Sequence, residues 1–118
     1  MKDMSYTDFV GVLCKDGQEI LDSFTHLDAH ITHMTLGISG EVGELVDAIK
    51  KYLIYEQPLD HENIVEELGD IEFYLEGLRQ ALGIEREIVI QTNQEKLSTR
   101  YASLTYSNRA AHTRADKA

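Results

Sequence analysis

LGISGEVGELVDAIKKYL, residues 36–53, is the stretch that decides the fold. Its apolar residues have the spacing of an amphipathic helix, but three glycines interrupt it. They are Gly37, Gly40 and Gly43. A glycine inside a helix costs up to about 1 kcal/mol relative to alanine. Glu41 and Glu44 lie among these glycines, one helical turn apart, so two like charges share one face. Both features are costly, which indicates that this helix carries more than a packing role.

Outward from this stretch, apolar residues recur at steps of three and four on two consecutive segments, as in helices that pack on one side. The first set is Leu27, Ile31, Met34, Ile38, Val42, Leu45 and Ile49; the second is Ile64, Leu68, Ile71, Leu75, Leu78 and Leu82. Pro58 separates them, Asp60 or His61 is placed to cap the second, and Gly83 to end it. The pattern predicts helices near 4–24, 28–56, 61–82 and 85–103.

We therefore predict an all-α helical bundle of four or so helices. The polar residues 104–118 form a tail that we expect to be less ordered. A length of 118 residues favours one domain. The formal net charge of −10 argues against a nucleic acid polymer as partner, because phosphate backbones attract clustered cations.

Neither an export signal nor an apolar run of membrane-spanning length is visible in the sequence. The chain contains one cysteine, Cys14, which has no partner for an internal disulfide. These features predict a cytoplasmic protein without a membrane partner.

Acidic residues border the apolar stripe of both central helices. Glu67 and Asp70 repeat on the third helix the spacing of Glu41 and Glu44 on the second. A turn at Pro58 makes these helices antiparallel neighbours, so the four carboxylates converge in a half-buried groove. A divalent cation relieves such crowding, and an all-carboxylate set favours Mg²⁺ or Mn²⁺ over zinc. Acids beside a core can also pair with lysines, and the glycines can serve either tight helix packing or ligand space.

These residues carry a family resemblance. The segments GEVGELVDAIKK and NIVEELGDIEFYL resemble the Glu-x-x-Glu and Glu-x-x-Asp motifs of the MazG-like, all-α nucleoside triphosphate pyrophosphohydrolases. YEQPLD in the turn and NQEKLSTRY in the last helix are also similar to that family. The resemblance implies a MazG-like domain over residues 1–103 and hydrolysis of a nucleoside triphosphate to the monophosphate and pyrophosphate. It implies that Mg²⁺ is held by Glu41, Glu44, Glu67 and Asp70, which are then also the catalytic residues.

Substrate contacts are expected from cations near these acids. Lys51 lies two turns beyond Glu44 on the same helical stripe. On the fourth helix Asn93, Lys96 and Arg100 share one polar face, which coincides with the family-like run. Arg100 and Tyr101 fit phosphate contact and packing equally well. His33, on the polar stripe away from the acids, is placed to line the nucleoside end of the pocket.

Three other classes are weighed on the same residues. A di-iron bundle of the ferritin type needs Glu-x-x-His pairs, which the acid motifs here do not provide. A phosphoribosyl-ATP pyrophosphohydrolase-like enzyme shares the architecture and the chemistry, so only substrate assays separate it. A non-catalytic helical adaptor has no reason to keep four like charges at a helix seam.

Self-association is also predicted. Leu36, Val46 and Leu53 form a second apolar set on the central helix, which a chain of this length does not cover by itself. The family resemblance likewise implies dimers or dimers of dimers, so we expect a homodimer or homotetramer.

Overall fold

A computed structural model describes residues 3–117. The chain is all-α: no strand occurs in this range. Its six α-helices are α1 Tyr6–Leu13, α2 Gly17–Ser23, α3 His26–Leu53, α4 His61–Leu82, α5 Arg86–Arg100 and α6 Asn108–Thr113, followed by a 3₁₀ turn at Ala115–Lys117. None of the helices described is both long and apolar enough to cross a bilayer.

The centre of the molecule is a hairpin of the two longest helices, α3 and α4. A capping box begins α3: the Thr25 hydroxyl accepts the Asp28 backbone N–H at 3.1 Å and the Asp28 carboxylate accepts the Thr25 N–H at 2.9 Å. The Asp60 side chain caps α4 by accepting the Asn63 N–H, and Gly83 ends it in the left-handed conformation with φ 67°. The bounds of α4 confirm the predicted third helix, including its cap and its glycine stop.

Gly37 and Gly77 allow α3 and α4 to pack closely. A Cβ atom on Gly37 would overlap the Tyr74 ring, and one on Gly77 would overlap the Met34 sulfur. Gly37 faces Tyr74, whereas Met34, which is earlier in α3, faces Gly77, which is later in α4. The two helices are therefore antiparallel. Gly37 is therefore kept for a close approach. A Cβ on Gly40 or Gly43, or on Gly69 of α4, would meet no atom within 4 Å, so tight packing within one chain explains Gly37 but not these three.

Replacing Gly37 by alanine should destabilise the fold. The added methyl forces the Tyr74 ring out of place, and overpacking of this kind costs about 1–3 kcal/mol. This cost exceeds the gain in helix propensity of up to about 1 kcal/mol. The matched control is Gly11→Ala on α1, which also meets no neighbour in the chain and should be neutral or stabilising. Urea unfolding of both variants checks this; a Gly37→Ala protein as stable as Gly11→Ala would contradict the role assigned to Gly37.

The molecule is open and has almost no core of its own. Among residues 3–117 only Met34 and Ala48 are buried hydrophobic side chains. The radius of gyration is 20.5 Å, whereas a compact domain of this length has a radius of about 13–14 Å. Outside the hairpin, the main packing is that of α5 against the residues that follow it.

Two segments differ from the sequence-based expectation. The predicted first helix is two helices, because Cys14 is extended and the Asp16 carboxylate caps a new helix by accepting the Glu19 N–H at 3.3 Å. The residues after Tyr101 contain α6 and the 3₁₀ turn, where we expected a less ordered tail. The helices predicted near 28–56 and 85–103 are confirmed as α3 and α5, with ends that differ by two or three residues at most.

Candidate metal centre

Three of the four predicted acids come together across the α3–α4 seam. One carboxylate oxygen from each of Glu41, Glu67 and Asp70 lies within 4.8 Å of the other two. Glu41 and Glu67 are half-buried, and Asp70 is exposed. The group forms because α3 and α4 are antiparallel and each acid borders the apolar stripe of its helix. Three oxygens at this separation can surround one hard divalent cation.

Glu67 is the residue of this group with the most constrained surroundings. Its Oε2 atom is buried and has no hydrogen-bond partner among residues 3–117. Loss of water around the carboxyl raises the pKa of Glu67, and the facing Glu41 carboxyl, Asp70 and Glu44 raise it further. A buried carboxylate oxygen without a donor is costly, and an oxygen-seeking cation supplies what the protein does not. The donor set therefore fits Mg²⁺ or Mn²⁺.

Glu44 lies outside this three-residue group. Of the neighbouring acids that raise the pKa of Glu67, Glu44 has the smallest effect. Lys51, which we expected along the same stripe, instead holds the Asp47 carboxylate at 3.0 Å, one helical turn away on the exposed surface. That hydrogen bond is the main cause of the raised pKa of Lys51, with Glu44 contributing less. The roles of Glu44 as a metal ligand and Lys51 as a phosphate contact stay predictions.

His33 lies beyond the acids, on the same side of the hairpin as Tyr74. The two rings meet edge to face with centroids 6.1 Å apart, and Phe73 packs on Tyr74 at 5.2 Å. This aromatic group adjoins the stretch where Gly37 makes room for Tyr74. Its place next to the acids is compatible with the predicted nucleoside end of a pocket.

The polar residues of α5 do not reach the acids within one chain. α5 packs mainly against α6 and the 3₁₀ turn, and hardly against the hairpin. Asn93 and Tyr101 line a cleft with Leu97 and Tyr106, whereas Lys96 faces Asp116 and Lys117 in a different cleft. Arg100 is already paired, with its Nε 2.9 Å from Asp116 Oδ1. The predicted substrate contacts of Asn93, Lys96, Arg100 and Tyr101 thus stay predictions, and they require α5 to act on another copy or to move.

Two partners in these ion pairs escaped the sequence analysis. Asp47 is four residues before Lys51, so helical spacing alone could have indicated that pair. Asp116 is 16 residues from Arg100, and a chain reversal brings them together. No local signal in the sequence marks that second pair.

Comparison with known proteins agrees with this geometry. The family model of the MazG nucleotide pyrophosphohydrolase domain matches residues 29–105. These residues include most of α3 and all of α4 and α5. The chain is also 30% identical over 74 residues to the gene 37 protein of Mycobacterium phage L5, a match that covers 59% of this chain and 65% of the phage protein. No solved structure matches.

An all-α protein with an acidic group on a helical hairpin is thus the class that fold and site define. The chain belongs to the MazG nucleotide pyrophosphohydrolase domain family, as the match over more than half of its length shows. The resemblance stated from the two acid motifs is confirmed. The chain spans just under two thirds of the phage relative that it matches.

Proposed function

We propose that the protein is a Mg²⁺-dependent nucleoside triphosphate pyrophosphohydrolase, which converts a ribo- or deoxyribonucleoside triphosphate to the monophosphate and pyrophosphate. The observation that carries the proposal is the group of Glu41, Glu67 and Asp70, with one buried oxygen of Glu67 lacking any partner. Membership of the MazG family supplies the reaction class.

Glu41, Glu67 and Asp70 would hold the cation, and Glu44, one helical turn from Glu41 on α3, remains the predicted further ligand. A bound Mg²⁺ neutralises phosphate charge and lowers the pKa of water near it. Manganese is expected to substitute, because it accepts the same oxygen ligands. One of Glu41, Glu44 and Glu67 would also position or deprotonate the attacking water.

Bond changes in the proposed reaction follow from its products. The water oxygen bonds to the α-phosphorus while the bond from that phosphorus to the α–β bridging oxygen breaks. Pyrophosphate leaves with that bridging oxygen. The proton released by water passes to a carboxylate of the acidic group or to solvent.

The rest of the substrate site needs cations that the hairpin does not supply. Lys96 and Arg100 lie on α5, away from the acids of their own chain. We propose that the protein is a homodimer or homotetramer in which exposed apolar side chains of α3 and α4 are covered by another copy. Among them are Val46, 59% exposed, and Val65, 55% exposed. In such an assembly α5 of one copy can meet the acidic group of another.

The test is a panel of all ribo- and deoxyribonucleoside triphosphates, together with phosphoribosyl-ATP, incubated with protein and Mg²⁺. We expect a monophosphate and pyrophosphate in equal amounts, and no reaction after chelation of the metal. In ¹⁸O-labelled water the label should enter the monophosphate, because water attacks the α-phosphorus. Label in pyrophosphate, or release of orthophosphate, would contradict the proposed bond cleavage. Turnover of phosphoribosyl-ATP alone would assign the narrower activity, and no turnover of any compound would favour the adaptor alternative.

Lys96→Met should weaken catalysis while leaving the fold intact. Losing one charged contact to phosphate costs about 1.5–3 kcal/mol, which corresponds to a decrease in kcat/KM of roughly 10- to 100-fold. Helix content and the melting temperature should hardly change, since Lys96 makes no ion pair among the residues described. The control is Lys15→Met, which removes the same charge from the exposed link between α1 and α2. Equal kinetics in both variants would remove Lys96 from the substrate site but leave the reaction class untouched.

A further inference from the structure

The C-terminal segment, residues 107–117, folds back onto α5. Ser107 begins α6 by accepting the Ala110 N–H at 3.0 Å, and Arg114 ends it in the left-handed conformation with φ 51°. The 3₁₀ turn that follows packs along α5. This chain reversal places Asp116 against the end of α5 that carries the polar face.

Asp116 engages Arg100 through both of its oxygens. The Nε–Oδ1 distance is 2.9 Å and the Nη2–Oδ2 distance 3.4 Å. The Arg100 side chain is 15% exposed and that of Asp116 only 6%. The other two ion pairs among the residues described, Lys51–Asp47 and Arg79–Glu76, join residues of one helical turn. The Arg100–Asp116 pair therefore differs from these in both burial and sequence separation, and screening by solvent weakens it less.

Lys96 belongs to the same arrangement. It lines a cleft with Thr99, Asp116 and Lys117, so two cations of α5 face the C-terminal segment. A forked guanidinium binds carboxylate and phosphate in the same planar, two-bond geometry. Asp116 thus occupies the side of Arg100 that a substrate phosphate would use.

We propose that the C-terminal segment restrains substrate affinity: Asp116 competes with the polyphosphate chain of the nucleotide for Arg100. This inference rests on the proposed function, because it assigns Arg100 to phosphate binding. Asp116 is not a catalytic residue; it acts through Arg100. Since ligand and carboxylate compete for one guanidinium, each weakens the binding of the other by the same factor.

Asp116→Asn tests the competition in the full chain. The amide keeps the shape but removes the charge, so KM for the nucleotide should fall about 3- to 10-fold while kcat stays within about 2-fold. Asp22→Asn, which makes the same charge change on the exposed face of α2, should leave both constants as in wild type. In an Arg100→Met background, Asp116→Asn should have no effect on KM. An unchanged or raised KM in the single variant would overturn the inference.

A second measurement does not depend on turnover. Trypsin cuts after Arg109 and Arg114 when the C-terminal segment is released, and inorganic tripolyphosphate with Mg²⁺ supplies a phosphate chain without a base. Tripolyphosphate should speed these cuts in wild type and not in Arg100→Met. Equal cleavage with and without tripolyphosphate would overturn the inference. If nucleotide is hydrolysed but Asp116→Asn is silent, only this inference fails; if no nucleotide is hydrolysed, the proposed function fails first.

Discussion

Glu67→Gln should abolish pyrophosphate release while leaving the metal-free protein as stable as wild type, or more so. The amide keeps the size of the side chain but removes a charged oxygen ligand, so we expect activity to fall more than about 100-fold. The folded metal-free protein, by contrast, loses the least favourable charge of the acidic group, because both the loss of water and Glu41 oppose ionisation of Glu67. Mg²⁺ should raise the melting temperature of wild type, because a ligand at 100 times its dissociation constant stabilises the folded state by about 2.7 kcal/mol. The melting temperature of the variant should rise much less.

The pH dependence gives this expectation a sign. A carboxyl whose pKa is raised on folding binds its proton more tightly in the folded state, so ionisation destabilises the fold. This destabilisation is absent at a pH below 4.5, the ordinary pKa of the carboxyl. It grows as the pH rises from there through the raised pKa of the folded state. Relative to Glu67→Gln, metal-free wild type should therefore lose stability across this window and then level off. Glu62→Gln, in the first turn of α4 and away from the acidic group, is the matched control and should stay active. A Glu67→Gln protein that is destabilised yet active would show that these acids stabilise the packing of α3 against α4 and do not hold a metal.

The hairpin and its acids were predictable because all their determinants are local. Helical spacing places Glu67 and Asp70 on one face of α4 whatever else the chain does, and the turn at Pro58 leaves an antiparallel arrangement of α3 and α4. The structure accordingly brings together Glu41, Glu67 and Asp70, three of the four acids whose convergence the spacing predicted. Gly83 at the end of α4 was predictable for the same reason, since a left-handed residue there favours glycine.

The segment after Tyr101 escaped prediction because its determinants are not local. Leu104 and Arg114 both have positive φ, at 55° and 51°, where no glycine signals a turn. Those two residues redirect the chain so that Asp116 reaches Arg100. From its place on α5 alone, Arg100 fits phosphate contact and packing equally well. Periodicity reveals neither its partner 16 residues away nor the separation of α5 from the hairpin.

Gly40, Gly43 and Gly69 are not explained by packing within the chain. A Cβ on any of them would meet no atom within 4 Å, whereas a Cβ on Gly37 would overlap the Tyr74 ring. Each lies within three residues of an acid of the site, so the space beside them is open to a ligand or to another copy. We expect one of these to fill it, because a glycine in a helix is costly and no contact within the chain explains it.

Val46→Lys should dissociate the oligomer into monomers and abolish its activity at the same time. Val46 and Leu53 on α3 are 59% and 63% exposed, and Leu68 on α4 is 49% exposed. Among residues 3–117 only two hydrophobic side chains are buried and the radius of gyration is 20.5 Å, so we expect association to cover such residues. In a symmetric dimer one substitution places two lysines in the interface, and an apolar interface loses affinity by about 100-fold or more when it must bury a charge.

Light scattering at about 10 μM should give at least a dimer mass for wild type and a monomer mass for Val46→Lys. This concentration is above the dissociation constant of about 1 μM or less that is ordinary for a dimer. Gln57→Lys adds the same charge to the exposed loop between α3 and α4 and should keep both the mass and the activity. Mixing Val46→Lys with an excess of inactive Glu67→Gln protein should not restore turnover, because the interface itself is broken. Mixing Lys96→Met with Glu67→Gln should restore part of it, since one copy then supplies intact acids and the other an intact α5. A wild-type monomer with full activity would show that α5 reaches the acidic group of its own chain, and the shared site would be wrong.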